Sequence, residues 1–245
     1  MERDKILNNI YFILVEPQYP GNIGSIARAM NTMGLSHLRI VNPPDLKADE
    51  AKMMAYQSYH IIENAEIFSS VDEAIEDLAV VVATTARLGH ERGPSWEPRE
   101  VVKEVLKFAG ENKIGFMFGR EERGLSNEEL RRAHFLTTIP AYRSYPSLNL
   151  SQAAMLYAYT IYDTIREPIS SPKEKLAQEN DLQLLHRRIM ETMAKLEFRE
   201  ANESDHFSRT LRRAIGRTYW EKRDVAVFLK IVKQIEWYLD NRCKE

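Results

Sequence analysis

Three polar clusters stand where apolar runs end, and their residue types could do chemistry together. The first holds Asn22, Ser25 and Arg28. The second is Gly119-Arg120-Glu121 followed by Gly124-Leu125, and the third is Ser147-Leu148-Asn149. They supply carboxamides, a carboxylate, hydroxyls and a guanidinium, which can bind a ligand or hold a proton, and glycines that let backbone come close to it. Each cluster also has a plainer reading. Asn22 reads as a helix cap, and Arg28 falls off the apolar face of its helix, as a solvated arginine would. Glu121 could pair with Arg120 or Arg123, and the glycines could simply turn the chain. Ser147 and Asn149 are both placed to cap the next helix. The functional reading rests on convergence, because strand ends of a parallel sheet open on one edge.

The elements that must position these clusters alternate. Apolar runs at 10–15, 38–41, 79–84 and 114–118 read as buried strands, with shorter ones at 65–68 and 135–139. Between them lie helical patterns. One carries Ile23, Ile26, Ala27 and Met30 on its apolar face and ends at Gly34. Others cover 49–59 and 99–109, and capping boxes start helices at Ser70 and Ser126. Leu148, Met155, Ala158, Tyr159 and Tyr162 fall at helical spacing after the third cluster. The pattern predicts an α/β fold, a mainly parallel sheet with helices on both faces, over residues 1–165. Residues 166–178 read as a linker, since prolines and serines interrupt all periodicity. Residues 179–245 read as a small all-helical C-terminal extension with a seam at Leu182, Leu185, Ile189, Met193 and Leu196.

Composition narrows the class. The chain of 245 residues is 44% hydrophobic and 29% charged, enough for a substantial core. A formal net charge of −2 excludes a uniformly basic protein, so any nucleic-acid surface must be local. The single cysteine, Cys243, rules out a disulfide framework. Six histidines without ligand spacing predict no metal site. With no signal peptide and no apolar run long enough for a bilayer, the expectation is a cytoplasmic protein with no membrane partner. Neither a G-x-G-x-x-G after the first strand nor a G-x-x-x-x-G-K-[ST] loop occurs, which disfavours a nucleotide-binding oxidoreductase.

Asn22-x-x-Ser25-x-x-Arg28, Gly119-x-Glu121-x-x-Gly124-Leu125 and Ser147-Leu148-Asn149-x-Ser151-x-Ala153 resemble, in order and spacing, the three motifs of the SPOUT RNA 2′-O-ribose methyltransferases. The stretches PGNIGSIARAMNTMGL, TTAR at 84–87 and FGREERGLSNEEL strengthen the likeness, which covers about residues 8–165. The chain looks most similar to the TrmJ branch, which methylates nucleotide 32 of the tRNA anticodon loop.

The resemblance implies that the C-terminal part of the sheet is threaded into a trefoil knot that holds S-adenosyl-L-methionine. It implies cofactor contacts at Thr84, Thr85, Ala86, Gly119, Ile139, Pro146, Ser147 and Leu148. The family's catalytic arginine aligns with Arg28, and its supporting groups with Asn22, Glu121, Ser147 and Asn149. A guanidinium with a pKa above about 12 is a poor base. Its better role is a fork that grips a phosphate and polarises the 2′-oxygen, which leaves the RNA phosphate, Ser147 or water as proton acceptor. The resemblance also implies a homodimer with sites near its interface. The tail seam and the helix at 153–162 are candidate dimer surfaces.

tRNA as partner calls for local positive charge. Arg209, Arg212, Arg213, Arg217 and Arg223 cluster in the tail around Tyr219 and Trp220, and Arg87 follows the strand at 79–84. Arginines interleaved with aromatics suit unpaired RNA, while the same run also reads as a solvated helix face. Two alternatives stay open: methylation of another tRNA or rRNA position, and a non-catalytic RNA-binding module of the same fold.

Overall fold

A computed structural model describes residues 2–86, 95–142, 148–166, 175–198, 205–216 and 219–242. The chain folds as two compact units, Met1–Lys173 and Glu174–Glu245. In the first unit six parallel strands form one sheet in the order β3-β2-β1-β5-β4-β6. They are β1 (Ile10–Val15), β2 (His37–Val41), β3 (Glu66–Phe68), β4 (Val80–Thr84), β5 (Ile114–Phe118) and β6 (Phe135–Thr137). The helices are α1 (Glu2–Leu7), α2 (Pro20–Thr32), α3 (Asp49–Ala55), α4 (Tyr59–Glu63), α5 (Val71–Ile75), α6 (Pro98–Val105), α7 (Asn127–Arg131) and α8 (Leu150–Thr164). The α/β architecture follows the sequence pattern. The chain winds outward from β1 to β3, then returns to place β5 beside β1, so a switch in strand order lies between them.

Period-two alternation sorts the strand residues between two faces. On one, Tyr11, Ile13, Val81, Ala83 and Met117 pack with Ala74, Ile75 and Leu78 around α5 and with Leu130 of α7. On the other, Phe12 meets Phe116 and Phe118 with ring centroids 6.1 and 5.1 Å apart, and Tyr157 of α8 closes on both phenylalanines. The face of α8 that is buried carries Leu150, Ala154, Tyr157, Ala158 and Ile161. That corrects the face read from sequence: Tyr159 and Tyr162 are exposed. The helix is apolar almost all round, so its period does not distinguish the two sides.

Asn22 is not a cap. Tyr19 occupies the N-cap of α2 with no side-chain bond, and Pro20 fills the first turn, where its missing N–H costs nothing. The Ser126 capping box forms both of its bonds. At Ser70 the side chain accepts from the Glu73 amide, and the Glu73 carboxylate reaches back to accept from the Ser69 amide at 3.2 Å.

The second unit contains α9 (Glu179–Lys195), α10 (Asp205–Gly216) and α11 (Lys222–Arg242). Its core joins Leu182, Leu185, Ile215 and Val225, with Ile189, Leu211, Trp220 and Leu229 against it. The expected seam is buried only in its first half, for Leu196 is exposed. Further along, the buried Glu236 carboxylate accepts from Arg188 and from Thr192 at 3.1 Å.

Arg39 of β2 is a charge inside the sheet, 2% exposed. Its guanidinium lies 4.3 Å from the Tyr11 ring centroid and donates to the Ala74 carbonyl and to both carboxylate oxygens of Asp77. Lys113 also donates to Asp77, at 2.5 Å. Burial pushes the Asp77 pKa up, but the bonds from Arg39 and Lys113 outweigh it and bring it down to about 2. The folded carboxyl therefore holds its proton less tightly than the unfolded one. Its stabilising contribution is full above about pH 4 and is lost as pH falls toward 2. Asp77→Asn should cost about 1.5–3 kcal/mol at pH 7, since buried Arg39 loses its two closest charge-assisted bonds and keeps only the Glu66 carboxylate at 3.4 Å, and should flatten the loss of stability between pH 4 and 2. Urea unfolding of both proteins across that range measures it.

Candidate active site

The carboxyl ends of β4, β5 and β6 and the start of α8 enclose a cavity of about 290 Å³. Its walls include Thr84, Thr85 and Ala86 after β4, Phe118 and Gly119 at the end of β5, Thr137 and Ile139, and Leu148, Leu150, Ala153 and Tyr157. All six cofactor candidates among the described residues thus line one space: Thr84, Thr85, Ala86, Gly119, Ile139 and Leu148. Pro146 and Ser147 lie outside the described residues, as does Arg87.

Local chemistry keeps the walls in place. The Thr85 amide donates to the Thr137 carbonyl at 2.9 Å, and the Thr84 hydroxyl to the Met117 carbonyl at 3.0 Å, tying three strand ends together. Thr137 and Tyr157 share a hydrogen bond of 2.9 Å between buried hydroxyls. Burial pushes the Tyr157 phenol well above its ordinary range, against the opposing pull of Thr137, so it stays neutral. Tyr157 and Thr137 escaped the sequence reading. The available signal was Tyr157 lying seven positions, about two helical turns, after Leu150.

Gly119 is required by close approach. A Cβ there would lie 2.2 Å from the carbonyl carbon of Gly124 and 2.3 Å from the Leu125 nitrogen, both backbone atoms. Gly124 itself has φ +62°. Arg120 anchors this tight loop by donating to Glu16 at 2.8 Å and to both Glu129 oxygens at 3.1 Å. Those bonds raise the Arg120 pKa further above its ordinary value, and the bond from Arg120 lowers that of Glu16.

With Arg120 committed elsewhere, Glu121 does not take it as a partner. Its carboxylate accepts from the Gln18 amide at 3.0 Å, the Tyr19 amide at 3.4 Å and the Asn22 side chain at 2.9 Å. Asn22 in turn accepts from the Asn149 side-chain amide at 3.1 Å. Asn149 caps α8, its oxygen taking both the amide and the hydroxyl of Ser151. One chain of bonds therefore joins all three clusters: Asn149 to Asn22 to Glu121. Charge-assisted bonds to a carboxylate contribute about 1.5–3 kcal/mol each, enough to fix the relative positions of these loops.

Arg28 is not brought to the cavity. It lies six residues beyond Asn22, about 240° around the helix, and is exposed, its guanidinium 5.7 Å from the Tyr56 ring centroid. The Ser25 hydroxyl returns to the Gly21 carbonyl of its own helix.

In the tail, Arg209 and Arg213 are exposed on α10. Arg212 is turned inward against the buried carboxylate of Glu179, with its side chain 15% exposed. That ion pair removes Arg212 from the candidate RNA face, because withdrawing it would leave Glu179 buried and uncompensated. Arg223 pairs with Glu221 at 2.6 Å but remains largely in solvent, and Arg217 lies outside the described residues. Among the described residues there is no group of three acidic, histidine or cysteine side chains able to hold a metal ion. Among them, too, no helix is long and apolar enough to cross a membrane.

Residues 9–159 match the SpoU rRNA Methylase family. An uncharacterized tRNA/rRNA methyltransferase of Haemophilus influenzae is 42% identical over 64% of this chain and 64% of its own length. The tRNA (cytidine-2′-O-)-methyltransferase TrmJ of Methanocaldococcus jannaschii is 34% identical over 91% of this chain and 98% of its own. Among solved structures, TrmJ from Z. mobilis ZM4 superposes with a TM-score of 0.79 at 28% identity, covering 92% of this chain and 98% of that one. Motifs joined by the Asn149–Asn22–Glu121 bonds, a cavity at the strand ends and a match over most of the first unit agree: the chain is a methyltransferase belonging to the SpoU family.

Proposed function

We propose that this enzyme transfers a methyl group from S-adenosyl-L-methionine to a ribose 2′-hydroxyl of tRNA, at nucleotide 32 of the anticodon loop. It does so in the cytoplasm as a homodimer, with the C-terminal part of the sheet threaded as a trefoil knot. The observation that carries the reading is the relay from Asn149 through Asn22 to Glu121 on the wall of the cavity. Full-length likeness to relatives named as tRNA 2′-O-methyltransferases supports tRNA as the substrate.

The cavity suits the cofactor's chemistry. Phe118, Ile139, Leu148, Leu150 and Tyr157 offer an apolar slot for an adenine ring, and the strand-end backbone at 84–86 offers hydrogen-bond partners. Gly119 admits backbone contact that a side chain would block. Bound there, S-adenosyl-L-methionine supplies a methyl group already activated on a sulfonium. What the chain must add is orientation, which can contribute about 7–11 kcal/mol. Asn22, Glu121 and Asn149 hold the walls, Arg28 grips a backbone phosphate and polarises the 2′-oxygen, and Ser147 is one candidate proton acceptor beside the RNA phosphate and water. Arg28 lies off its own cavity, so in this reading a homodimer interface carries it to the RNA bound by the partner subunit. The exposed Leu156, Tyr159 and Tyr162 on the outer side of α8 support that helix as part of the interface. Arg87, Arg209, Arg213, Arg217 and Arg223 are the proposed RNA contacts.

Unmodified tRNA incubated with labelled S-adenosyl-L-methionine and mapped by nucleoside mass spectrometry should carry the label on ribose 32. Label elsewhere would overturn the position, and label only in rRNA would overturn the substrate. Arg28→Ala should abolish transfer while leaving cofactor affinity nearly intact, as read by single-turnover rates and calorimetry. Gly119→Ala should weaken cofactor binding at least tenfold, because its Cβ would meet the Gly124 and Leu125 backbone and displace the 119–125 wall of the cavity. The paired variant Arg213→Ala with Arg223→Ala should weaken tRNA binding and reduce the slope of log affinity against log salt by about 2.

A further inference from the structure

We propose that Tyr56 is a positioning residue for Arg28, held in a strained backbone so that its ring lies against the guanidinium. The proposal rests on the reading of Arg28 as the group that meets the RNA. Tyr56 ends α3 with φ +52° and ψ −121°, the conformation of the first central residue of a type II′ turn, which glycine favours and a bulky side chain does not. Nothing in the core demands a tyrosine there, for the side chain is 67% exposed. Its ring instead meets Arg28, whose guanidinium carbon lies 5.7 Å from the ring centroid, within the range of a cation–π interaction.

The surrounding backbone is built to bring the two together. Gly24, one turn before Arg28 on α2, lets the end of α3 come into backbone contact. A Cβ at Gly24 would stand 2.3 Å from the Ala51 carbonyl oxygen and 2.9 Å from the Ala55 nitrogen. Two residues after Tyr56, the Ser58 hydroxyl accepts from the Asn31 side chain at 3.0 Å, fixing the 3₁₀ turn that begins at Tyr56 to the same helix. Tyr56 is thus clamped on both sides against the helix that carries Arg28. A long, exposed arginine samples many rotamers, and each must be given up before it can bind a phosphate. A ring fixed beneath the guanidinium removes part of that cost before RNA arrives. The strain is the counterpart: stability is surrendered where geometry is needed.

The test sets stability against rate. In Tyr56→Gly the strain disappears, so the thermal midpoint should rise by about 2–4 °C. The single-turnover rate on unmodified tRNA should fall about two- to fivefold, the size of an exposed cation–π contact, with cofactor affinity unchanged. Tyr56→Phe, which keeps the ring, should restore most of the rate. Independently of activity, the Arg28 Nε–Hε resonance should lose an upfield ring-current shift in Tyr56→Gly and retain it in Tyr56→Phe. An unchanged resonance, or a rate unchanged while Arg28→Ala is inactive, overturns the proposal. A midpoint that falls together with the rate overturns it too, since that marks a merely structural tyrosine. An active Arg28→Ala would instead sink the reading of Arg28 on which the proposal rests.

Discussion

The Glu121 carboxylate is the constraint on which the site depends. It lies in the loop after β5, yet its partners belong to the loop after β1 and to the first turn of α2. These strands are neighbours only because the strand order switches between them. A turn between adjacent strands in sequence could not make this bond. By holding Asn22, Glu121 also orients the oxygen that receives Asn149, so the start of α8 is set from two hydrogen bonds away. The cavity wall and the helix that closes it are therefore positioned by one acceptor with several donors, a geometry that leaves little freedom to slide.

The two faces of the sheet divide their tasks. One packs phenylalanines against Tyr157 and leads into the cavity, where Phe118, Leu150 and Tyr157 supply an apolar side that suits an aromatic ligand, opposite the polar 119–124 loop. The other buries the Arg39 guanidinium against the part-exposed Asp77, which Lys113 also binds, and none of the three lines the cavity. An ion pair with one buried partner is weak evidence for net stability but costly to break. Burial of an ionic group and chemistry at the strand ends are kept separate.

Much of this was legible in the sequence, for identifiable reasons. Buried parallel strands are continuous apolar runs, so β1, β4 and β5 stand out, and alternation with amphipathic helices gives the fold class. Motif spacing marked Asn22, Glu121 and Asn149, and the cavity gathers Thr84, Thr85, Ala86, Gly119, Ile139 and Leu148. What escaped depends on three-dimensional choice. Asn22 looks like a cap, but Pro20 moves the helix start back by three residues, to an N-cap at Tyr19, and frees the Asn22 side-chain amide. The apolar residues of α8 populate two sides, so nothing local says that Tyr157 turns inward while Tyr159 does not. Arg212 and Arg213 are chemically alike neighbours, and only Glu179, some thirty positions earlier in the chain, tells them apart.

The loop 119–124 is closed as a ring. Its ends meet through the Gly124 amide on the Arg120 carbonyl, Gly119 lies against Gly124 with no space between, and Arg120 ties the ring to Glu16 and Glu129. Such a ring tolerates new side chains at positions that make none of these bonds far better than a change in the number of its links. One residue added or removed would move Glu121 out of reach of Asn22 and leave the Arg120 clamp facing the wrong carboxylates. Over evolutionary time this segment should drift in letters while staying fixed in length.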